Sequence, residues 1–265
     1  MTDWARVRAD DFAVPEGRPV EELVAELSAM LRSPDPVVRD RQAYSILATW
    51  IDREVLSAEQ LVDLGDEMAA RFGDSEIQAR AFAPLILDCI VSAGVFEPRW
   101  VEPFTSWYAA EHDLRGHDPS LGWLHAVAHG ADLLGAFGQL PEVAPTSLLD
   151  LGLARVLTPT EYALRDLEDS RLAYALASTL TRPDLSEEDA TAWLATAPDA
   201  LRLVGITAGI PAHITNTFNT LNALYVLVDR GVEPPLQSTR TQVSHRKAVL
   251  DHLAAALRTL SPHQS

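Results

Sequence analysis

Cysteine and long apolar runs are both scarce in this sequence. The 265 residues include one cysteine, Cys89, so no disulfide can form within the chain, and a reducing compartment is expected. No apolar run reaches the roughly 18 residues that a membrane-spanning helix needs. The first residues carry scattered charges and resemble no signal peptide. We therefore expect a cytoplasmic protein.

Positive charge is also in short supply. Lysine and arginine together number 21 against 38 aspartate and glutamate residues, which gives a formal net charge of −17. Such a field repels phosphate backbones and anionic lipid, so we expect neither nucleic acid nor a membrane as a partner. A cationic or neutral small-molecule ligand, or a basic protein surface, fits better, although solubility alone can explain an acidic balance. The oligomeric state is not predicted.

Helical spacing of apolar residues dominates what remains, and it predicts an all-α fold of roughly eleven or twelve helices. Helix start signals occur at Ser57, at Thr158 and at Ser186, where a capping side chain precedes an acidic or amide residue. No Gly-, Ser- or Pro-rich linker interrupts the chain. We expect one domain over residues 1–265, with a poorly ordered start over residues 1–17.

Two early segments resemble each other. DPVVRDR at residues 35–41 precedes AYSILATW, and DSEIQAR at residues 74–80 precedes AFAPLILDCI, 39 residues later. This offset is close to the period of HEAT repeats, in which pairs of helices stack side by side. The pattern predicts a HEAT-like helical-repeat array, that is, a curved α-solenoid.

The stretch GWLHAVAHGADLL at residues 122–134 holds the strongest candidate site. On a helix spanning residues 120–137, His125, His129 and Asp132 share one side, and Trp123 falls on the opposite side, which we expect to pack inward. The residues around the three polar side chains are small or apolar, which indicates a covered or concave face. We take these three residues as the candidate catalytic set.

Three interpretations of this set remain open. The two imidazoles and the carboxylate could be metal ligands, although the HExxH pattern of many zinc sites is missing. They could transfer protons without a metal, since imidazoles titrate near neutral pH. They could also be structural, bonded to a neighbouring helix.

Other segments could supply further walls of a pocket. Glu168 and Arg171 lie in a run dense in charge, whose alternative explanation is a solvated helix start. A polar stripe on a helix over residues 212–230 consists of His213, Asn216, Thr217 and Thr220. Such a stripe is equally consistent with the wall of a polar cavity and with interhelical hydrogen bonds. Trp107 lies close to several carboxylates in the sequence and could bind a cationic ligand.

The motifs together resemble a known family. EHDLRG at residues 111–116, the GWLHAVAHGAD stretch from residue 122 and EDSRLA at residues 168–173 are similar to the signature of the bacterial DUF2785 family, over about residues 20–232. The resemblance carries no activity with it. It implies that the polar residues of these motifs belong to one recurring constellation, namely His125, His129, Asp132, Arg115, Glu168 and Arg171.

These observations lead to a functional hypothesis. We expect a concave His/Asp pocket that binds a small polar or cationic molecule, with ligand contacts from Arg115, Glu168 and Arg171. His125 and His129 are the candidate groups for acid–base catalysis in this pocket. We expect no cofactor, with one divalent metal ion as the alternative. The alternative functions are a metal-dependent hydrolase or oxygenase using the HxxxHxxD set and a protein-interaction scaffold. Whether the protein is an enzyme stays open.

Overall fold

The protein is all-α, as the periodicity predicts. A computed structural model describes residues 2–202, 209–233 and 239–259 of the chain. Its contacts separate into two compact units that divide between Leu133 and Leu134. Each unit is described by itself below, and a single domain over residues 1–265 stays a prediction.

The first unit is built from helices and one short hairpin. Its elements are α1 (Trp4–Ala9), α2 (Val20–Met30), a π-helix (Val37–Tyr44), α3 (Ser45–Asp52), α4 (Ala58–Arg71), α5 (Ile77–Ser92), a 3-10 helix (Pro98–Trp100), α6 (Val101–Ala110), β1 (His117–Asp118), β2 (Gly122–Trp123) and the start of α7 (Ala126–Gly138). The helix start predicted at Ser57 is confirmed by a complete capping box with Gln60.

The beginning of the chain differs from the expectation of poor order. It forms α1, and the Trp4 side chain is only 4% exposed. The Trp4 indole donates a hydrogen bond to Glu26 at 2.9 Å, and Arg18 lies 2.6 Å from the same carboxylate. A buried early tryptophan, hydrogen-bonded to a partly exposed carboxylate, therefore anchors a segment whose composition alone indicated a frayed end.

The two similar segments begin their helices with the same local geometry. The Asp35 carboxylate accepts a hydrogen bond from the Val37 N–H at 2.8 Å, and the Asp74 carboxylate accepts one from the Glu76 N–H at 2.9 Å. In both places an aspartate satisfies a backbone donor that the new helix leaves unpaired. The sequence likeness therefore reflects a shared way of starting a helix, although the first copy opens into a π-helix and the second into α5.

The second unit is also helical. It contains the end of α7, α8 (Pro145–Leu157), α9 (Glu168–Thr179), α10 (Glu187–Ala192), α11 (Ala197–Ala200), α12 (Ala212–Arg230) and α13 (Arg246–Arg258). Helix α12 packs against α8, α9 and α13 and forms the centre of the unit. The start at Ser186 is confirmed, since its hydroxyl accepts from the Asp189 N–H.

The helix start predicted at Thr158 is wrong. Thr158 ends α8, its hydroxyl donating to the Ala154 carbonyl, and residues 159–167 form no helix before α9 begins at Glu168. No helix among the described residues is long and apolar enough to cross a membrane.

Candidate functional site

The candidate stretch begins as a hairpin and only then becomes a helix. In β1 and β2, His117 pairs with Trp123 and Asp118 pairs with Gly122. The His125 N–H then bonds to the Arg115 carbonyl at 3.2 Å, and α7 starts at Ala126. The expectation of one helix over residues 120–137 is therefore wrong. The physical reason lies in two left-handed residues, Gly122 at φ +72° and His125 at φ +48°, which a helix cannot contain.

A buried arginine holds this hairpin in place through hydrogen bonds to its backbone. Arg39, in the π-helix, is 0% exposed. Its guanidinium donates to the carbonyls of Leu121 at 2.7 Å and Trp123 at 3.0 Å, and to that of Ser33 at 3.2 Å. The sequence pointed to no role for Arg39, because its two hairpin partners, Leu121 and Trp123, lie more than eighty residues away along the chain.

The charge of Arg39 is balanced locally. Its Nε lies 2.7 Å from a carboxylate oxygen of Asp40, and the guanidinium carbon lies 4.7 Å from the centre of the Phe82 ring. Burial raises the pKa of the Asp40 carboxyl, while Arg39 beside it acts in the opposite direction. Arg39 therefore combines a fixed charge with hydrogen bonds that hold the backbone of the hairpin.

A row of rings leads from the hairpin into the interior. The centroid of Trp123 lies 4.8 Å from that of His117 and 4.5 Å from that of His125, whose ring is parallel to the indole within 4°. The His125 ring lies 5.6 Å from His129, which in turn lies 5.3 Å from Phe82. Trp123 is 46% exposed, so the expectation that it packs inward is wrong. The structure brings His125 and His129 together, as predicted.

The protonation geometry of His129 follows from its surroundings. Its side chain is 5% exposed, and Nδ1 lies 2.8 Å from the Ala81 carbonyl oxygen. A carbonyl can only accept, so Nδ1 must carry the hydrogen, and Nε2 is the nitrogen that can gain or lose a proton. His129 is therefore oriented by a buried hydrogen bond, as acid–base histidines in enzymes usually are.

Metal binding by the predicted set finds little support. Asp132 lies three residues beyond His129 on α7 and is half-buried. His125 lies before the helix and not on its face. Within residues 2–202, 209–233 and 239–259, no three His, Cys, Asp or Glu side chains are grouped as metal ligands would be. This arrangement does not provide the three ligands of a typical catalytic zinc site.

Trp107 and Arg115 belong to a charged network beside the hairpin. Trp107 is 7% exposed, stacks on Phe72 at 4.9 Å and donates to Glu111 at 2.8 Å. Such burial is that of a core residue and argues against direct contact with a ligand. Arg115 is half-exposed and pairs with Asp113 and Asp118, which shapes the loop between α6 and β1.

The carboxyl of Glu111 lies at the centre of this network. Burial would raise its pKa, but hydrogen bonds from Arg80, from the Asp113 N–H and from Trp107 together hold the pKa below its ordinary value. Arg80 approaches to 2.7 Å. Similarly, the Arg115 guanidinium holds the pKa of the Asp113 carboxyl below its ordinary value. These carboxylates are therefore charged at neutral pH, and their ion pairs and hydrogen bonds stabilise the fold of this region.

The remaining predicted residues lie in the second unit. Glu168 is fully buried at the start of α9 and accepts from the Asp166 N–H at 2.8 Å, and Arg171 follows on the same helix, half-buried. On α12, Asn216 accepts from the Leu164 N–H at 2.9 Å and donates to the Tyr162 carbonyl at 2.9 Å. These bonds hold the segment between α8 and α9.

The rest of the polar stripe on α12 has mixed surroundings. The Thr220 hydroxyl donates to the Asn216 carbonyl at 2.9 Å, and Thr217 donates to the Val156 carbonyl at the same distance. His213 is half-buried. Part of the stripe is therefore explained by interhelical hydrogen bonds, the second of the two readings that the sequence left open.

Comparison with known proteins gives one result. The sequence matches the model of the family DUF2785, described as a protein of unknown function, over residues 64–228. The chain belongs to the DUF2785 family. No curated protein and no solved structure matches the chain. The DUF2785 match covers every predicted site residue and Trp123, but it does not reach Arg39.

Part of the DUF2785 motif has a purely structural explanation. A Cβ atom on Gly130, in the HGAD segment, would lie 2.3 Å from the Tyr108 ring, so only glycine fits there. The Tyr108 hydroxyl donates to the Val127 carbonyl at 2.9 Å and so fixes α6 against α7. A pocket shared by the DUF2785 residues of the first and second units stays a prediction.

Proposed function

We propose that this DUF2785 protein binds a small polar or cationic molecule beside His125 and His129, and that His129 exchanges a proton with it through Nε2. The observation that carries the proposal is the bond between His129 Nδ1 and the Ala81 carbonyl, which fixes the tautomer of a buried imidazole. A histidine whose tautomer is fixed can act as a general acid or base toward a group within hydrogen-bond reach of its other ring nitrogen. Asp132, in the same unit as the two histidines, would add a carboxylate to the polar surroundings of the ligand.

The charge of the chain supports the choice of ligand. With a formal net charge of −17, the protein attracts cations and repels polyanions, so nucleic acid and anionic membranes are not among the proposed partners. A cytoplasmic location agrees with the single cysteine. The proposal does not require a metal ion or another cofactor.

The proposal also includes a HEAT-like repeat arrangement for the helix pairs of the first unit. Its support is the shared aspartate turn at Asp35 and Asp74, which starts two helices 39 residues apart. Helical repeats of this kind commonly carry ligand or protein sites on one face.

A thermal-shift screen of small cations, neutral polar molecules and anions tests the proposed function. The decisive variant is His129→Asn, because the asparagine amide can still donate to the Ala81 carbonyl while the titrating nitrogen is lost. The matched control is His252→Asn, since His252 is exposed and its Nδ1 lies 2.9 Å from the Ala248 carbonyl.

The expected result is a set of cationic or polar ligands that raise the melting temperature of the wild type and of His252→Asn, but not of His129→Asn. Ligands that shift His129→Asn as much as the wild type would contradict the proposal. His125→Ala is expected to weaken binding of the same ligands.

A further inference from the structure

One tryptophan differs from the others in its exposure. Trp123 is 46% exposed, whereas Trp4, Trp50, Trp100, Trp107 and Trp193 are 7% exposed or less. A large aromatic side chain at this exposure forgoes part of the free energy that full burial would provide.

The exposure of Trp123 is built into the backbone. The carbonyls of Leu121 and Trp123 are both held by the fully buried guanidinium of Arg39. Between them, Gly122 adopts φ +72°, and a Cβ there would lie 2.9 Å from Pro36. These contacts therefore hold the hairpin in a conformation that directs the indole outward. The guanidinium that holds it is a buried charge, and burying a charge costs free energy.

The rings around Trp123 form a small aromatic surface. His125 stacks parallel to the indole at 4.5 Å, and His117 approaches at 4.8 Å with its plane at 76°. His125 keeps this place although it adopts φ +48°, a conformation that costs about 1 kcal/mol or more for a residue with a side chain. Strained residues of this kind cluster at ligand sites.

We infer that Trp123, flanked by His117 and His125, binds a weakly hydrated organic cation, such as a quaternary ammonium group. The inference deepens the proposed function and rests on it, since it names the class of ligand and adds Trp123 as a contact residue. An indole is the aromatic ring that attracts cations most strongly, and such groups are typically recognised by several aromatic rings together. Two cations lie in this region, and both are paired: Arg39, which contacts the Trp123 carbonyl, with Asp40, and Arg115 with Asp113 and Asp118. Neither is an unbalanced charge that would oppose the ligand's charge.

The experiment compares two molecules of the same shape. Choline carries a quaternary nitrogen, and 3,3-dimethylbutan-1-ol has a neutral carbon in its place. Isothermal titration on the full chain is expected to give a dissociation constant for choline at least tenfold lower than that for the neutral alcohol. Equal affinities, or no detectable binding of choline at millimolar concentration, would overturn the inference.

Variants locate the binding. Trp123→Ala is expected to abolish choline binding, and Trp123→Phe is expected to weaken it severalfold, because phenylalanine attracts cations less than tryptophan does. Val226→Ala, at an exposed apolar position on α12, is the control and should bind as the wild type does. Unchanged binding by Trp123→Ala with an intact melting temperature would overturn the inference.

The same titration separates this inference from the proposed function. If His129→Asn still binds choline and Trp123→Ala does not, the inference stands while the proposed role of His129 fails. If instead His129→Asn loses its screened ligands and Trp123→Ala keeps its affinity for choline, the inference fails and the role of His129 stands.

Discussion

At the scale of single residues, Glu111 is a buried carboxylate whose charge ties several parts of the first unit together. Its side chain is 3% exposed and receives hydrogen bonds from Arg80 and Trp107 and from the backbone of the following loop. Because these bonds hold the pKa of Glu111 below its ordinary value, the charged form stabilises the folded state. The stability due to this charge is present above the ordinary pKa and is lost as the pH falls through the lowered one.

Glu111→Gln is therefore expected to lower the free energy of unfolding by about 2 kcal/mol at neutral pH, since it leaves a partly buried guanidinium without its carboxylate. In urea titrations at several pH values, the gap between wild type and variant should close below about pH 4, as Glu111 itself becomes protonated. Glu102→Gln, at an exposed position, is the control and should stay within about 0.5 kcal/mol. A gap that does not change with pH would contradict the role of the charge.

In the second unit, Asn216 is a buried polar residue that, like Glu111 in the first, bonds to a neighbouring segment of the chain. Its side chain is 3% exposed and bonds to two backbone groups of the segment between α8 and α9. Asn216→Ala is expected to lower the free energy of unfolding by about 3 kcal/mol, because the buried Leu164 N–H and the partly buried Tyr162 carbonyl lose their partner. Hydrogen exchange at the Leu164 amide should accelerate as well.

The control for this change lies almost one turn further along α12. Asn219 is exposed, so Asn219→Ala should leave the stability nearly unchanged or raise it slightly through helix propensity. Equal losses in the two variants would mean that the bonds of Asn216 contribute nothing specific.

At the scale of elements, the hairpin of β1 and β2 depends on one side chain from the π-helix. Arg39 donates to two hairpin carbonyls, and lysine cannot match this planar set of donors. Arg39→Lys is therefore expected to lower the free energy of unfolding by about 3 kcal/mol and to change the fluorescence of Trp123.

Arg41→Lys is the matched control for this variant, since Arg41 lies two residues further along the same π-helix and is exposed. It should have the stability and fluorescence of the wild type. If both variants behaved alike, the hairpin would not depend on the buried guanidinium.

Sequence patterns predict the elements whose signals are local. The helix over residues 212–230 is confirmed with its bounds, and Ser57 and Ser186 start helices through their own side chains. The predictions fail where the local structure depends on residues that are distant along the chain. The segment after Thr158 stays irregular while Asn216, far along the chain, satisfies its backbone.

The candidate site shows the same division. The sequence predicts that His125 and His129 lie together, and the structure confirms their proximity at 5.6 Å between ring centroids. The sequence prediction misplaces Trp123, because a helical wheel assumes a continuous helix and cannot represent the left-handed residues Gly122 and His125. The sequence prediction also misses Arg39, because its hairpin partners are close to it only in the folded structure.

At the scale of the whole molecule, the excess of negative charge leads to an expectation about partners. A formal net charge of −17 disfavours polyanions over long distances, and the effect is strongest at low ionic strength. We therefore expect no change in the fluorescence anisotropy of a short labelled DNA duplex when the protein is added in low salt. Binding that weakens as salt is added would contradict this expectation.

The central claim is that a ligand binds beside the histidines of the hairpin and α7. The most direct measurement is a nuclear magnetic resonance titration of protein labelled with nitrogen-15 in its histidine rings, using choline and the ligands selected by the thermal-shift screen. The account predicts that His129 is seen as the Nδ1–H tautomer and that the resonances of His125 and His129 shift on binding, while those of His245 and His252 stay in place. Shifts confined to other histidines, or an Nε2–H tautomer at His129, would contradict it.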